Sequence, residues 1–257
     1  MSKKRLDVLL FERELVESRQ RAQALILAGK VAVNGVASIK AGALVDENAQ
    51  ITIREPLKYV SRGGYKLEGA LDAFAVEPRG KICTDVCAST GGFTDCLLQR
   101  GAARVYALDV GYGQIAYKLR SDPRVVMMDR INARYIQTLP EPIDLATIDV
   151  SFISLTQILP AVKMFLHPHG EAIALVKPQF EAGREQVGKG GIVREASVHR
   201  AVVEKIAQHA MSARWRVLGL CRSPIEGAEG NVEFFIHLSL DVSHKDVDIH
   251  HAIVQVF

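Results

Sequence analysis

The sequence predicts an α/β protein in which a doubly wound, mainly parallel sheet follows a small N-terminal α+β unit. From about residue 80, short apolar runs alternate with helical stretches, the pattern of parallel strands with helices on both faces. Before residue 60, two short helical patterns lead into an alternating apolar run broken by Asn34-Gly35, the strongest short-range hairpin signal. Between the two lies "REPLKYVSRGG", in which Pro56 discourages continuous helix or sheet, so the stretch reads as a joint over about 54–62. The expected divisions are 1–60, 61–243 and a C-terminal tail, 244–257.

With 257 residues, 48% hydrophobic and 24% charged, the chain can bury a real core. No run approaches the ~18 apolar residues of a membrane helix, and Asp7 interrupts the N-terminal apolar stretch, unlike a signal peptide, so a soluble cytoplasmic protein is expected. Cysteines at 83, 87, 96 and 221 lack paired metal-ligand spacing, and neither metal nor disulfide is expected. Residues 1–60 hold ten Lys/Arg against seven Asp/Glu, an excess of three that equals the net charge of the whole chain, +3. So small an excess only hints at nucleic acid.

Leu6, Leu9 and Leu10 mark a first short helix. Ser18 caps a second, "SRQRAQALILAG", which Gly29 stops. "KVAVNGVA" gives the hairpin and "AQITI" a further strand. Arg19, Arg21, Lys30 and Lys40 are expected on one side of this unit, as an RNA-facing or merely solvated face. "GGYKLEGALDAF" then predicts an amphipathic helix with Lys66 on its first turn, where the macrodipole disfavours a cation. A surface lysine and a functional one both fit.

Strands are predicted at "KICTDVCA", "RVYALDV", "RVVMMD", "IDLATIDVSF" and "EAIALVKP". "RWRVLGLCRSPIEGAEGNVEFFIHLSL" closes the sheet with two more, giving it an antiparallel end. Ligands of such sheets sit outside the carboxyl ends of the strands. After the first strand, "DVCASTGGFTDCLL" lacks the G-x-G-x-x-G fingerprint for pyrophosphate, so a ligand without phosphates fits better. Asp109 lies 24 residues beyond Asp85, near the usual spacing of a ribose-binding acid. Asp129, after the third run, suits the exocyclic amine of adenine. An adenosine with a cationic tail matches S-adenosylmethionine, with Asp85 at the amino-acid end and Ala88, Ser89, Thr90, Gly91, Gly92 and Phe93 forming the loop. A helix cap or turn is the alternative for any one of these acids. Later strand ends offer Asp149, Lys177 and Glu233; arginines such as Arg62 or Arg222 are alternative partners for the two acids.

Two resemblances sharpen this reading. Across about 3–60, "RLDVLL…ESRQRAQALILAGKVAVNG" resembles the S-four RNA-binding domain, which implies RNA contact by the second helix and adjacent turn, at Arg5, Arg19, Arg21, Lys30 and Lys40. "SRGGYKLEGAL", "DVCASTGGFTDCLL", "ALDVGYGQ", "TIDVSFISL", "LVKPQFE" and "GNVEFF" resemble the TlyA family of haemolysin-like ribosomal RNA 2′-O-methyltransferases. These are similar in their catalytic domain to the FtsJ heat-shock methyltransferases. The resemblance implies a Rossmann-like S-adenosylmethionine-dependent sheet, methylation of a cytidine ribose in ribosomal RNA or ribosomal subunits, and a Lys-Asp-Lys-Glu tetrad at Lys66, Asp149, Lys177 and Glu233.

A ribose 2′-hydroxyl attacks only once its proton is removed, and Lys177 is the expected group there. A free lysine (pKa about 10.4) is mostly protonated at neutral pH. A cation such as Lys66 would favour the neutral base and a carboxylate such as Asp149 the charged stabiliser, and the sequence leaves both open. There is no Asn/Asp-Pro-Pro-aromatic loop after the fourth strand and no cysteine at the later strand ends, so base methylation is disfavoured. "FEAGREQVGKGGIV" reads as a lid or a mobile connector, and His244, His250 and His251 as surface residues. A membrane-active haemolysin, a nicotinamide-dependent oxidoreductase and an RNA-binding module with an inactive methyltransferase domain are the rival readings. Oligomeric state is not legible.

Overall fold

A computed structural model describes residues 2–38, 40–53 and 58–257. The chain divides into two compact units, 1–58 and 59–257. Pro56, expected to break the joint, lies outside the described residues.

In the first unit, β1 (Lys3–Arg5) leads into α1 (Leu6–Glu12) and α2 (Arg19–Leu27). Ser18 caps α2 by accepting from the Arg21 amide at 3.1 Å. Strands β2 (Val31–Val33) and β3 (Val36–Ser38) form the hairpin, with Asn34 and Gly35 both at positive φ (48° and 82°) as a type I′ turn requires. β4 (Leu44–Asp46) pairs with β1, and β5 (Ile51–Ile53) with β2. Leu6, Leu10, Ala22, Ile26 and Val31 form the core.

In the second unit, α3 (Gly63–Ala73) precedes β6 (Ile82–Val86), α4 (Gly92–Gln99), β7 (Arg104–Asp109), α5 (Tyr117–Arg120) and β8 (Val125–Asp129). Then come β9 (Ile143–Ile148), α6 (Leu155–Phe165), β10 (Leu166–Val176), α7 (Pro178–Glu181), α8 (Ala196–Ser212), β11 (Arg216–Arg222), β12 (Phe234–Ser239) and α9 (Ile249–Val256). The seven strands run β11-β12-β10-β9-β6-β7-β8. Strands β6 to β10 are parallel, and β12 inserts antiparallel to both β10 and β11. β11 and β12 thus form the expected antiparallel end of the sheet, with β12 on the inside against β10 and β11 at the edge. The order reverses between β6 and β9, whose carboxyl ends open the crevice where such sheets bind ligands.

Leu67 and Leu71 of α3 are fully buried, each worth about 1.5–3 kcal/mol of apolar burial, and they fix the face that α3 turns to the core. Part of the expected joint belongs to this unit: Tyr59 is buried and the Val60 amide donates to Asp95 Oδ2 of α4 at 2.8 Å. Gly64 lets Tyr59 lie against α3, since a Cβ there would fall 2.2 Å from the ring. The expected tail instead carries α9, whose Ile253 is buried in the core. His250 and His251 are exposed, whereas His244 is half-buried and bonded to Ser239 Oγ at 2.9 Å.

Candidate active site

Asp85, next to last in β6, is almost wholly buried, at 1% exposure. Its Oδ2 accepts from the Thr94 amide at 2.8 Å and the Thr94 hydroxyl at 2.7 Å, so one oxygen does cap α4. The other, Oδ1, is buried with no hydrogen-bond partner, and the residue lines a cavity of 220 Å³ shared with Lys66, Ser89, Thr90, Asp149 and Gly227. A buried acceptor left unpaired costs free energy that a cationic ligand would recover. Burial pushes the Asp85 carboxyl up to about 7.

The loop from β6 to α4 is tight. Cys87, Ser89 and Gly91 have positive φ (68°, 50° and 89°), and the Cys87 and Ala88 amides both donate to the Leu108 carbonyl. Gly92 and Phe93, expected in this loop, are the first residues of α4. The two glycines serve packing first: a Cβ on Gly91 would meet Leu119 at 2.4 Å and one on Gly92 would meet Ser61 Oγ at 2.2 Å. Asp109 braces the loop, accepting from the Ser89 and Gly111 amides at 2.7 Å each. Asp129 stands beside Asp109 in register and accepts from the Gly113 amide at 3.2 Å. Cys87 lines the cavity, but burial pushes its thiol up to about 12, a protonated and poorly nucleophilic form.

The four expected tetrad residues form two ion pairs. Lys66 Nζ lies 2.5 Å from Glu233 Oε2, and Lys177 Nζ lies 2.6 Å from Asp149 Oδ1. The carboxylates therefore face lysines; Arg62 instead donates to the Glu226 carbonyl at 2.6 Å. Glu233 neutralises the cation that the α3 dipole disfavours. Gly227 makes room for it, because a Cβ there would sit 2.1 Å from Glu233 Oε1. Gln179 donates to Glu233 Oε1 at 3.3 Å, two residues beyond Lys177, and so links the pairs.

Sequence reasoning missed three contributors. Ser151 accepts from Lys177 Nζ at 2.8 Å and helps to aim it. Glu181 accepts from the Leu155 amide at 2.7 Å and the Ser154 hydroxyl at 2.6 Å, tying the segment after Lys177 to the segment after Asp149. Phe152 is 89% exposed at φ +63°, a costly conformation for a bulky residue, and its ring lies 4.8 Å from that of Phe180, tilted by 48°. Only its place as the last residue of "IDVSF" could have singled it out. In the glycine-rich stretch after Lys177, the Val193 amide donates to Asn231 Oδ1 at 3.1 Å and the Gly191 carbonyl accepts from the Asn231 amide at 3.0 Å.

In the first unit, Arg5 and Arg19 converge on Asp7, fully buried, with Arg5 bidentate at 3.0 Å and Arg19 at 3.3 Å. The bond from Arg5, helped by those from Gln23 and Arg19, outweighs burial and leaves the Asp7 carboxyl well below its usual range. Arg21 points elsewhere, 3.8 Å from Glu17. Residues two apart on a helix do not share a face, so the expected common side of Arg19 and Arg21 is not formed. Lys40 is exposed and Lys30 half-buried.

Residues 59–240 match the FtsJ-like methyltransferase family, and residues 4–51 match the S4 domain. The chain belongs to the FtsJ-like methyltransferase family. This FtsJ-like methyltransferase is 51% identical over 243 residues to YqxC of Bacillus subtilis, named for rRNA methyl transfer, covering 92% of this chain and 85% of that one. It is 44% identical over 238 residues to the 16S/23S rRNA (cytidine-2'-O)-methyltransferase TlyA of Mycobacterium tuberculosis, covering 91% and 89%. A solved structure carrying a hemolysin name, from Streptococcus thermophilus, superposes with a TM-score of 0.74 at 45% identity, over 99% of this chain and 96% of that one. Among the described residues of the methyltransferase, no helix is long and apolar enough to cross a membrane.

Proposed function

We propose that this FtsJ-like methyltransferase uses S-adenosylmethionine to methylate the 2′-hydroxyl of a cytidine in ribosomal RNA, in the cytoplasm where ribosomes assemble. The observation that carries the reading is the pair of lysine–carboxylate contacts, Lys66–Glu233 and Lys177–Asp149, at the carboxyl end of a methyltransferase sheet. The TlyA relative, named for this reaction, supports the choice of nucleotide and acceptor.

Asp85 Oδ1 would take the cofactor's ammonium, and Ser89 and Thr90 with the N-terminus of α4 its carboxylate. Asp109 and Asp129 would face the ribose hydroxyls and the adenine amine. The cofactor supplies an electrophilic methyl group on a sulfonium centre. Lys177 meets the 2′-hydroxyl, with Asp149 and Ser151 fixing the direction of its Nζ. Proton removal from that hydroxyl and stabilisation of the oxyanion left behind fall to the Lys177–Asp149 pair. Each lysine is matched by one carboxylate, so the charge that develops at the acceptor oxygen is the one the site has to accommodate. Residues 1–60 supply RNA affinity more than chemistry.

Two measurements test the parts. The ammonium needs ionised Asp85, whose carboxyl titrates at about 7. As pH falls below 7, cofactor affinity should weaken by up to tenfold per unit, with uptake of cofactor releasing up to one proton. Above about 8 the cofactor's own α-amino group deprotonates, so affinity falls again. Calorimetry in buffers of different ionisation enthalpy reads both effects; a flat profile from pH 5.5 to 7 removes Asp85 from the ammonium site. On the RNA side, Arg5→Gln with Arg19→Gln should lower ribosomal RNA affinity and shrink the slope of log affinity against log salt by about 0.7–0.9 for each phosphate that is no longer neutralised. Arg21→Gln alone should do less, because it stands apart from that cluster. An unchanged slope in the double variant places the RNA surface elsewhere.

A further inference from the structure

Asp149 and Lys177 leave neighbouring parallel strands, since Ile148 at the end of β9 stands beside Ala174 of β10. Beyond the strands the chain continues as two short arms, 149–155 and 177–181, which touch at three levels. At the base, Lys177 Nζ meets Asp149 Oδ1 at 2.6 Å and Ser151 Oγ at 2.8 Å. In the middle, the Phe152 and Phe180 rings lie 4.8 Å apart, and Lys177 Nζ stands 5.8 Å from the Phe180 centroid, within cation–π range. At the far end, Glu181 Oε2 accepts from the Ser154 hydroxyl at 2.6 Å and Oε1 from the Leu155 amide at 2.7 Å. Arms and contacts close a ring. The arm that carries Lys177 is a single helical turn without slack, because the Phe180 amide donates to the Lys177 carbonyl and the Ala182 amide to the Pro178 carbonyl, each at 2.9 Å.

The far joint is the buried one. The Glu181 side chain is 2% exposed, against 26% for Asp149, which opens onto the cavity. A carboxylate only accepts, so the Ser154 hydroxyl gives its proton to Glu181 and accepts in turn from the Thr156 amide at 3.2 Å and the Thr156 hydroxyl at 2.8 Å. Every donor there has an acceptor. From α8, Lys205 Nζ donates to the Glu181 carbonyl at 2.9 Å and lies 4.0 Å from Oε2. Burial raises the Glu181 carboxyl, and the Ser154 hydroxyl, the Leu155 amide and Lys205 oppose that rise. Capping α6 does not by itself call for such a residue: Ser154 accepts from the helix as Ser18 does at α2, where no buried carboxylate assists. A buried charge is costly to keep, and this one joins the two segments that present the Lys177–Asp149 pair.

We propose that Glu181 is a positioning residue for methyl transfer. By fixing the arm that leaves Lys177 to the arm that leaves Asp149, it sets where Lys177 Nζ meets Asp149 and Ser151, and so the direction in which the amine faces the acceptor hydroxyl. Glu181 does not line the cavity shared by Lys66, Asp85 and Asp149, and it acts only through Lys177. The lysine stem is flexible, so an arm released at Glu181 lets the amine wander. A displacement of about 1 Å at a reacting group costs up to about 10²-fold in rate. The proposal rests on the role given above to Lys177 and deepens it.

The test has a kinetic arm and a chemical one, both on the full chain, with calorimetry of S-adenosylmethionine counting the folded sites. Glu181→Ala should lower the single-turnover rate roughly 10–10²-fold, with cofactor affinity and the KM for RNA little changed. Glu181→Gln keeps an acceptor for the Leu155 amide and a partner for the Ser154 hydroxyl, and should recover much of the rate. In a Lys177→Met background, Glu181→Ala should cost nothing further, because there is no amine left to aim. Equal losses in both backgrounds would reduce Glu181 to a cap of α6. The chemical arm needs no methyl transfer: acetic anhydride should label Lys177 several-fold faster in Glu181→Ala, and Lys81, at the opposite end of the sheet, at an unchanged rate. Unchanged labelling of Lys177 overturns the proposal. Where Glu181→Ala does not fold, Glu181→Asp, which keeps the charge but is one methylene short, replaces it in both arms. If the wild-type protein transfers no methyl group to RNA, the function reading fails, and the labelling still decides whether Glu181 holds the amine.

Discussion

Lys177→Met should slow methyl transfer by roughly 10²–10⁴, the usual loss for an acid–base group, with cofactor and RNA binding near normal. Lys177 is 9% exposed at the end of β10, and Pro178 starts α7 immediately after it, so the backbone that presents the amine is fixed. Methionine keeps most of the stem's bulk and removes only the amine that reaches Asp149 and Ser151. The Asp149 side chain, 26% exposed, loses its ion-pair partner but reaches water, which moderates the cost to stability. Single-turnover rates with saturating RNA isolate the chemical step from product release. A near-wild-type rate would return Lys177 to a structural role.

The second large effect is on stability as well as chemistry. Glu233 and Lys66 side chains are 2% and 11% exposed, so Glu233→Ala leaves a nearly buried ammonium without its counter-charge. Breaking such a pair costs about 3–5 kcal/mol, a large share of a domain's stability, whereas replacing both partners by apolar groups is often close to neutral. Glu233→Ala should therefore be strongly destabilised in denaturant unfolding. The double variant Lys66→Met with Glu233→Leu should recover most of that stability and none of the methyl transfer. A double variant as unstable as the single one would mean that Glu233 matters for packing around Gly227 and Gln179, not for its charge.

The sheet was legible because apolar runs of five or six residues, each ending in an acid or lysine, leave a period and a punctuation mark together. Asp85, Asp109, Asp129, Asp149 and Lys177 could be placed from that pattern alone. Lys66 at the head of its helix and Glu233 in the closing strand also stood out, but only the family resemblance gave them a role, since neither closes a strand of the parallel body. What the pattern could not give was partnership. Arg62 and Lys66 were equally available to Glu233, and only the folded contacts show that Lys66 takes it while Arg62 goes to the Glu226 carbonyl. Short elements were also invisible: β1 is three charged residues, "KKR", with no alternation to betray it. The insertion of β12 between β10 and β11 is a choice of long-range pairing that local propensity does not encode. Arg19 and Arg21 were misjudged because composition counts charges, whereas a helix turns about 100° per residue and sends them to Asp7 and Glu17. Asp85 shows the opposite case. Cap and ligand readings were posed as alternatives, yet Oδ2 makes the cap and Oδ1 stays free for a ligand.

The most direct test of a ribose 2′-O-methyltransferase is the identity of the product nucleoside. Ribosomal subunits lacking the modification would be incubated with the purified protein and methyl-labelled S-adenosylmethionine, and the RNA digested to nucleosides for mass spectrometry. The expected result is label in 2′-O-methylcytidine, absent with Lys177→Met. Label in a base-methylated nucleoside, or no transfer to either subunit, would contradict the account.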